Sequence, residues 1–308
     1  MEIELTVFYA RLGSIALILL LGFLLGKFKL ISESTNKQIT NLLLTVFMPA
    51  SLFMAFPSEY DQTSANLFFS GLLAGFFIML VLIILAKLVF NQKWLKKGLS
   101  HESQFAFIFN NATFLGYPIV ANTFGSSGIL AYCGFIIAFN IALFSYGIWL
   151  FEQKISIKLL LRIIFNPNIV AVIVGMIFFL IGITLPNFIT DAVSYVGGAT
   201  TPLSIICIGF MLSQAKLQKV FTKWRLMLTA LIQLILGPLI TWGLLTLCQF
   251  PIEVIQVCTL IQALPTATSL GLFAVKYGGN AAESSELVTI STLFSVITMP
   301  LMVLLLLV

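Results

Sequence analysis

Ten stretches of mostly apolar residues follow one another along this chain, each about the 20 residues that a helix needs to cross a bilayer. They run over 7–27, 38–56, 66–90, 103–123, 127–150, 167–185, 189–213, 225–248, 253–276 and 285–307. The gaps between them average about ten residues, which leaves no room for a domain outside the membrane. Only 9% of residues are charged and 60% are hydrophobic, against about 25% and 45–50% in an average soluble domain. A chain so short of charge cannot wet a soluble surface, so the sequence predicts an all-α integral membrane protein with ten transmembrane helices and the lipid bilayer as its first partner.

The ends and the loops give an orientation. Met1-Glu2-Ile3-Glu4 is acidic where a signal peptide carries positive charge, and no A-x-A-like site follows the first run; the first run is expected to be a retained helix. Fifteen of the 16 Lys and Arg fall in one alternating set of loops: Lys27, Lys29, Lys37; Lys87, Lys93, Lys96, Lys97; Lys154, Lys158, Arg162; Lys216, Lys219, Lys223, Arg225; and Lys276. Arg11 alone lies on the other side, which instead carries Glu2, Glu4, Glu59, Asp61, Asp191 and Glu253. By the positive-inside rule the basic side is cytoplasmic, and both termini are expected outside the cytoplasm. The net charge of +5 is spread over these loops rather than gathered in a patch, so nucleic acid is not an expected partner. Cys133, Cys207, Cys248 and Cys258 all stand in apolar runs with no pair at ligand spacing, so neither a disulfide framework nor a metal site is expected.

The halves 1–152 and 153–308 resemble each other. Pro49-Ala50-Ser51-Leu52 in the second run matches Pro202-Leu203-Ser204-Ile205 in the seventh, at an offset of 153. Ala112-Thr113-Phe114-Leu115-Gly116 in the fourth matches Ala267-Thr268-Ser269-Leu270-Gly271 in the ninth, at an offset of 155. Five spans per unit is an odd number, so the second unit must insert upside down, the arrangement common to secondary transporters.

Two runs concentrate polar residues and proline at mid-span. The fourth reads Phe109-Asn110-Asn111-Ala112-Thr113-Phe114-Leu115-Gly116-Tyr117-Pro118, and the ninth Gln262-Ala263-Leu264-Pro265-Thr266-Ala267-Thr268-Ser269-Leu270-Gly271. Proline removes a helix hydrogen bond and clashes with the preceding turn. Polar breaks at corresponding positions of two repeats point to a site built from interrupted helices, whose inner N-termini present free N–H groups to an anion. Packed helices merely kinked by proline are the plainer alternative. The two prolines are not symmetric, since Pro118 aligns with Phe273 and Pro265 with Asn110. Asn41 and Thr45 in the second run and Asn140 in the fifth are further buried amides and hydroxyls that either line a site or join helices. Gly22/Gly26 and Gly71/Gly75 have the spacing of close helix contacts without naming the helices that meet.

No Asp, Glu, Lys, Arg or His stands near the centre of any run, so a proton relay lacks an obvious carrier. His101, in a basic-side loop beside Glu102, is expected to be solvated. Peptidase, nucleophile-elbow and P-loop motifs are absent, so an enzyme is not expected.

In these residues the chain resembles the auxin efflux carrier family, which holds plant PIN-type auxin exporters and bacterial permeases for malate and similar acids. The resemblance rests on Asn111 to Pro118, on Asn166-Pro167 with Gly182 and Pro186, and on Pro202 to Leu212. Pro265 with Tyr277, and Ser291-Thr292-Leu293 through Pro300, complete it. The long central loop of the plant exporters is missing, so the bacterial permeases are nearer. The resemblance implies two inverted five-helix repeats whose fourth and ninth helices cross. It further implies a scaffold of helices 1, 2, 6 and 7, an elevator-like transport unit of helices 3–5 and 8–10, and a homodimer. It points to Asn111, Pro118 and Pro265 as site residues, and position adds Asn110, Thr113, Thr266, Thr268 and Ser269, with Asn140 and Asn41 as further candidates. The expected activity is secondary transport of a small mono- or dicarboxylate across the plasma membrane, as electrogenic efflux with no cofactor. A sodium ion held by unwound carbonyls and hydroxyls, giving sodium symport, is the alternative, as are a sensor that binds without transport and a channel.

Overall fold

The computed structural model describes residues 5–56, 60–90, 97–153, 165–214 and 223–306. Among these, each of the ten apolar runs is helical, whole or in pieces. In chain order the α-helices are α1 (Leu5–Lys27), α2 (Glu33–Leu42), α3 (Met48–Phe53), α4 (Gln62–Val89), α5 (Lys97–Ile108), α6 (Tyr117–Ala142) and α7 (Ile148–Glu152). After them come α8 (Pro167–Ile181), α9 (Asn187–Gly198), α10 (Thr200–Ser213), α11 (Trp224–Leu247), α12 (Ile252–Gln262), α13 (Ser269–Tyr277) and α14 (Ala281–Leu306). Three π-helical turns are inserted: Leu43–Phe47 between α2 and α3, Ala112–Gly116 ahead of α6, and Leu143–Gly147 between α6 and α7. The loop residues Lys93, Lys96, Lys154, Lys158, Arg162, Lys216 and Lys219, with Glu2, Glu4 and Glu59, lie outside the described residues.

The outward faces carry the apolar residues. On α4, Leu73, Leu80, Ile84 and Leu88 are exposed, and on α14, Val296, Ile297, Leu301 and Leu305 are exposed, while Ser284, Ser291 and Ser295 of α14 turn inward. In water these faces would be a large aggregation surface; in lipid they are the expected ones. Three single helices are long and apolar enough to cross a bilayer, Gln62–Val89, Trp224–Leu247 and Ala281–Leu306, and so is the pair of helices over Asn187–Ser213. A fifth, Ala112–Glu152, is not one rod. Gly125 adopts φ +64° and ψ −149°, a conformation open essentially to glycine. Tyr132 Oη donates to the Ala112 carbonyl at 3.0 Å, although twenty residues of straight helix would separate them by about 30 Å. The chain therefore doubles back at Gly125, in the gap expected between 103–123 and 127–150.

Several ends differ from the sequence expectation. The sixth run stops at Ile181 rather than 185, because Gly182 turns left-handed (φ +71°) and Ile183 N–H bonds back to the Phe178 carbonyl at 2.9 Å. The seventh is two helices joined at Ala199. Glu102 is not in a solvated loop: it lies in α5, 0% exposed, with Oε1 accepting the Asn280 backbone N–H at 2.7 Å. His101 beside it is half-buried and sits edge-on to the Phe151 ring.

Packing separates the helices into two groups. One comprises α1, α2, α3, α8, α9 and α10, the other α4 to α7 and α11 to α14. In the first, α1 lies so close along α10 that a Cβ on Gly22 would strike the Ile206 backbone and one on Gly209 the Leu19 backbone. In the second, Gly134 of α6 abuts the Phe68 carbonyl of α4, and Gly71 abuts Ala131. The glycine pairs seen in the sequence are thus the floors of two particular helix contacts. The Pro49 motif meets the chain just ahead of the Pro202 motif: Ser51 Oγ donates to the Gly197 carbonyl at 2.6 Å and shares a hydrogen bond with Thr200 Oγ1 at 2.7 Å. The groups face each other across α6 and its leading π turn, against α8 and α10.

Candidate functional site

Interrupting a helix inside a bilayer frees backbone groups that lipid cannot satisfy. Here two interruptions satisfy each other. Asn110, just after α5, and Thr266, between α12 and α13, form a single antiparallel bridge. Asn111 N–H donates to the Pro265 carbonyl at 2.7 Å, and Ala267 N–H donates to the Phe109 carbonyl at 2.9 Å. Side chains hold what remains. Asn110 Nδ2 donates to Gln262 Oε1 at 2.8 Å, Gln233 Nε2 to the Leu264 carbonyl at 2.7 Å, and Thr266 N–H to Ser291 Oγ at 3.1 Å. Asn111 Oδ1 accepts the Phe114 N–H at 3.3 Å and so starts the helix that follows.

Against this crossing lies a cavity of about 290 Å³. Asn110, Asn111, Thr113 and Phe114 line it from one break and Ala267, Thr268 and Ser269 from the other. Phe139, Asn140, Leu143 and Phe144 close one side, and Asn41, Leu44, Thr45 and the α8 start Asn166-Pro167-Asn168 face them from the other helix group. Six of the chain's twelve asparagines meet here, and no charged or titratable side chain lines the cavity. All three π turns contribute to the wall, through Leu44 and Thr45, Thr113 and Phe114, and Leu143 and Phe144. A π turn re-aims side chains where a regular helix would turn them away.

Of the ten residues expected from sequence, Asn41, Asn110, Asn111, Thr113, Asn140, Thr268 and Ser269 line the cavity. Pro118, Pro265 and Thr266 do not. Pro265 and Thr266 belong to the backbone bridge, and Pro118 lies in the first turn of α6, where its carbonyl accepts from Asn122 Nδ2 at 2.7 Å. Sequence reading missed Asn166 and Asn168 as lining residues, although Asn166-Pro167 is a helix-start signal. Gln233, Gln262 and Ser291 brace the crossing from behind; Gln233 is a single polar residue in an apolar run, Gln262 heads the polar stretch of the ninth run, and Ser291 stands beside Thr292.

A second, wider cavity of about 820 Å³ shares Leu44, Asn111, Phe114, Thr268 and Ser269 with the first. It continues past Cys207 and Thr292 to Glu33, Lys37 and Gln214. The inner cavity therefore shares a wall with a vestibule on the Lys37 side. The two inner half-helices, beginning at Ala112 and Ser269, start at the shared wall and bring the positive ends of their dipoles to it.

The sequence profile of a family described as membrane transport protein matches residues 7–303. A protein of Methanothermobacter thermautotrophicus named as an uncharacterized transporter is 24% identical over 298 residues, 94% of this chain and 95% of its own length. One of Escherichia coli K12, also named as an uncharacterized transporter, is 23% identical over 314 residues, 96% of this chain and 97% of its own. A third, of Methanocaldococcus jannaschii, is 25% identical over 215 residues, 66% of this chain and 68% of its own.

Proposed function

Since this chain belongs to the membrane transport protein family, the auxin efflux carrier-like group, we propose that it is a secondary carrier of a small organic anion in the plasma membrane. The observation that carries the reading is the uncharged, amide-lined cavity at the crossing of two interrupted helices. Amides and hydroxyls there replace the water of a carboxylate, and the half-helix N-termini supply positive potential without a fixed cation.

The same reading takes the ten runs as ten spans in two inverted repeats, 1–152 and 153–308, with both termini outside the cytoplasm. The helix group of α1 to α3 and α8 to α10 is then the scaffold of an elevator, with the other group as its moving unit and a homodimer as the assembly. Two packed groups meeting mainly across the cavity support it. With the basic side cytoplasmic, the vestibule beside Lys37 makes this the inward-open state. A carboxylate crossing alone feels about 2.3 kcal/mol per 100 mV, and a negative cytoplasm drives it outward, so transport is electrogenic efflux.

The test is flux in liposomes clamped at different potentials without sodium or proton gradients. Saturable uptake with counterflow, rising with potential, is expected. Flux that ignores potential but needs sodium would replace uniport with symport. Non-saturating flux would make the protein a channel, and binding without flux a sensor.

A further inference from the structure

We propose that the Glu102 carboxyl is a pH-sensitive tie between the half-helices α5 and α13, closed while it is protonated and released when it ionises. The tie stands whatever the cavity carries; only its effect on flux rests on the carrier reading. α5 leads into the crossing and α13 leads out of it, and Ser269, the first residue of α13, lines the inner cavity. Near the crossing the two are held by the backbone bridge, and farther along by the Phe105 ring, edge-on to Phe273 at 5.4 Å. At the far end the join is Glu102 Oε1, which accepts the Asn280 N–H at 2.7 Å, three residues past the end of α13.

That join is dry and tight. Glu102 is 0% exposed, its Oε2 accepts no hydrogen bond, and a Cβ on Gly279 would lie 2.9 Å from Oε1 and 2.7 Å from the Phe151 ring. A buried carboxyl with one donor and no cation favours its neutral form. The groups around it supply no cation. Burial pushes its pKa up, and Glu283 on α14 adds to that; Glu152, which ends α7, is exposed. Lys276 lies over the Tyr277 ring, Arg225 of α11 over Trp224, and Lys87 of α4 over Tyr146 and Trp149, while Lys223 pairs with Glu286 at 2.6 Å. His101, its neighbour on α5, sits edge-on to Phe151 and is the rival sensor. An ionised Glu102 gains water by lifting the Gly279–Asn280 turn that covers it, and α13, with Ser269 at its other end, then loses its far anchor. The tie is at full strength below the open-state value of about pH 4.3 and is lost as pH rises through the raised folded one.

Amide hydrogen exchange of the full-length protein in detergent, from pH 5 to pH 8, tests this, read as protection factors so that the intrinsic pH dependence of exchange drops out. In the native protein, protection over 278–284 and along α13 should fall with pH, by up to about tenfold per pH unit because opening is linked to the loss of one proton, and then level off. Glu102→Gln keeps the acceptor without the charge, so its protection should stay at the acid value throughout. Gly279→Ala, whose methyl meets Oε1 and the Phe151 ring, should give low protection at every pH, and it serves if the glutamine variant does not fold. Native protection that ignores pH, the same fall in Glu102→Gln, or a fall abolished by His101→Gln overturns the tie. Malate uptake by native proteoliposomes should fall between pH 6 and pH 8, where malate stays fully ionised, and hold constant in Glu102→Gln. Failure of malate to move in either protein counts against the carrier reading instead, and the exchange result still decides the tie.

Discussion

Asn110 and Thr266 stand opposite each other as the one antiparallel bridge among the described residues, 156 positions apart in sequence and at the centre of the fold. Each lies one residue from the atoms that make the bridge's two hydrogen bonds, so displacing either segment of this pair breaks both and unpairs four backbone groups at once.

That bridge has a side-chain brace that can be weighed. Removing Asn110 or Gln262 singly should lower stability by about 1–3 kcal/mol, because each truncation leaves a buried amide unpaired. The double variant Asn110→Ala with Gln262→Ala should cost less than the sum, with a coupling of about 1 kcal/mol. Thermal unfolding of the four proteins in one detergent gives the cycle; strict additivity would mean the 2.8 Å contact contributes nothing.

Asn111 starts the inner half-helix and lines both cavities. Asn111→Ala should reduce organic-anion uptake to the leak of empty liposomes while the protein still elutes as a single folded species. Native uptake by this variant would remove Asn111 from the site.

Glu102 makes stability depend on pH. Burial raises its pKa above the ordinary carboxylate range; the Asn280 N–H opposes that shift, and Glu283 adds to it. For a raised carboxyl the folded state holds the proton more tightly than the unfolded one. Its contribution is full below about pH 4.3, the unfolded value, and is lost as pH rises through the folded pKa. Glu102→Gln should therefore flatten the fall in melting temperature between pH 5 and pH 8. An unchanged slope would show that another group sets it.

The close helix contacts predict opposite signs for one substitution. Gly209→Ala should destabilise by about 1–3 kcal/mol, since the new methyl meets the Leu19 backbone. Gly243→Ala, inside α11 with no atom within 4 Å of the added methyl, should stabilise by about 0.5–1 kcal/mol. Melting temperatures of the pair decide it, and equal shifts would remove the α1–α10 contact as the cause.

The crossing was legible because proline, glycine and amides interrupt two long apolar runs at matching places, and a bilayer does not forgive unpaired backbone. Five of the eight candidates in those two runs line the cavity, and so do Asn41 and Asn140, named as further amides in the second and fifth runs. Pro265 and Thr266 fell on the bridge instead, since sequence position along a broken helix does not say which residues face the gap and which face the partner strand. Asn168 was missed for a different reason: it lies in a run with no break of its own and reaches the cavity only through the docking of α8. Gln233 likewise looks like an isolated polar residue until the carbonyl it serves is seen, and among the neighbouring hydroxyls of Thr289, Ser291 and Thr292 the sequence does not say which one meets the Thr266 N–H. Glu102 misled because its neighbours in sequence are polar, while the groups that bury it come from α7 and the turn ahead of α14.

The three π turns bear on how this wall can change over time. Each holds one residue more than the α-helical turn it replaces, and one residue is about 100° of helix rotation. Deleting a single residue from Leu43–Phe47, Ala112–Gly116 or Leu143–Gly147 would therefore restore a regular α turn there, re-aiming the wall residues of that turn while the helix beyond it keeps its facing. One-codon gains and losses at these three places are thus a route to new ligands that point substitution does not offer, and length differences among relatives should gather there.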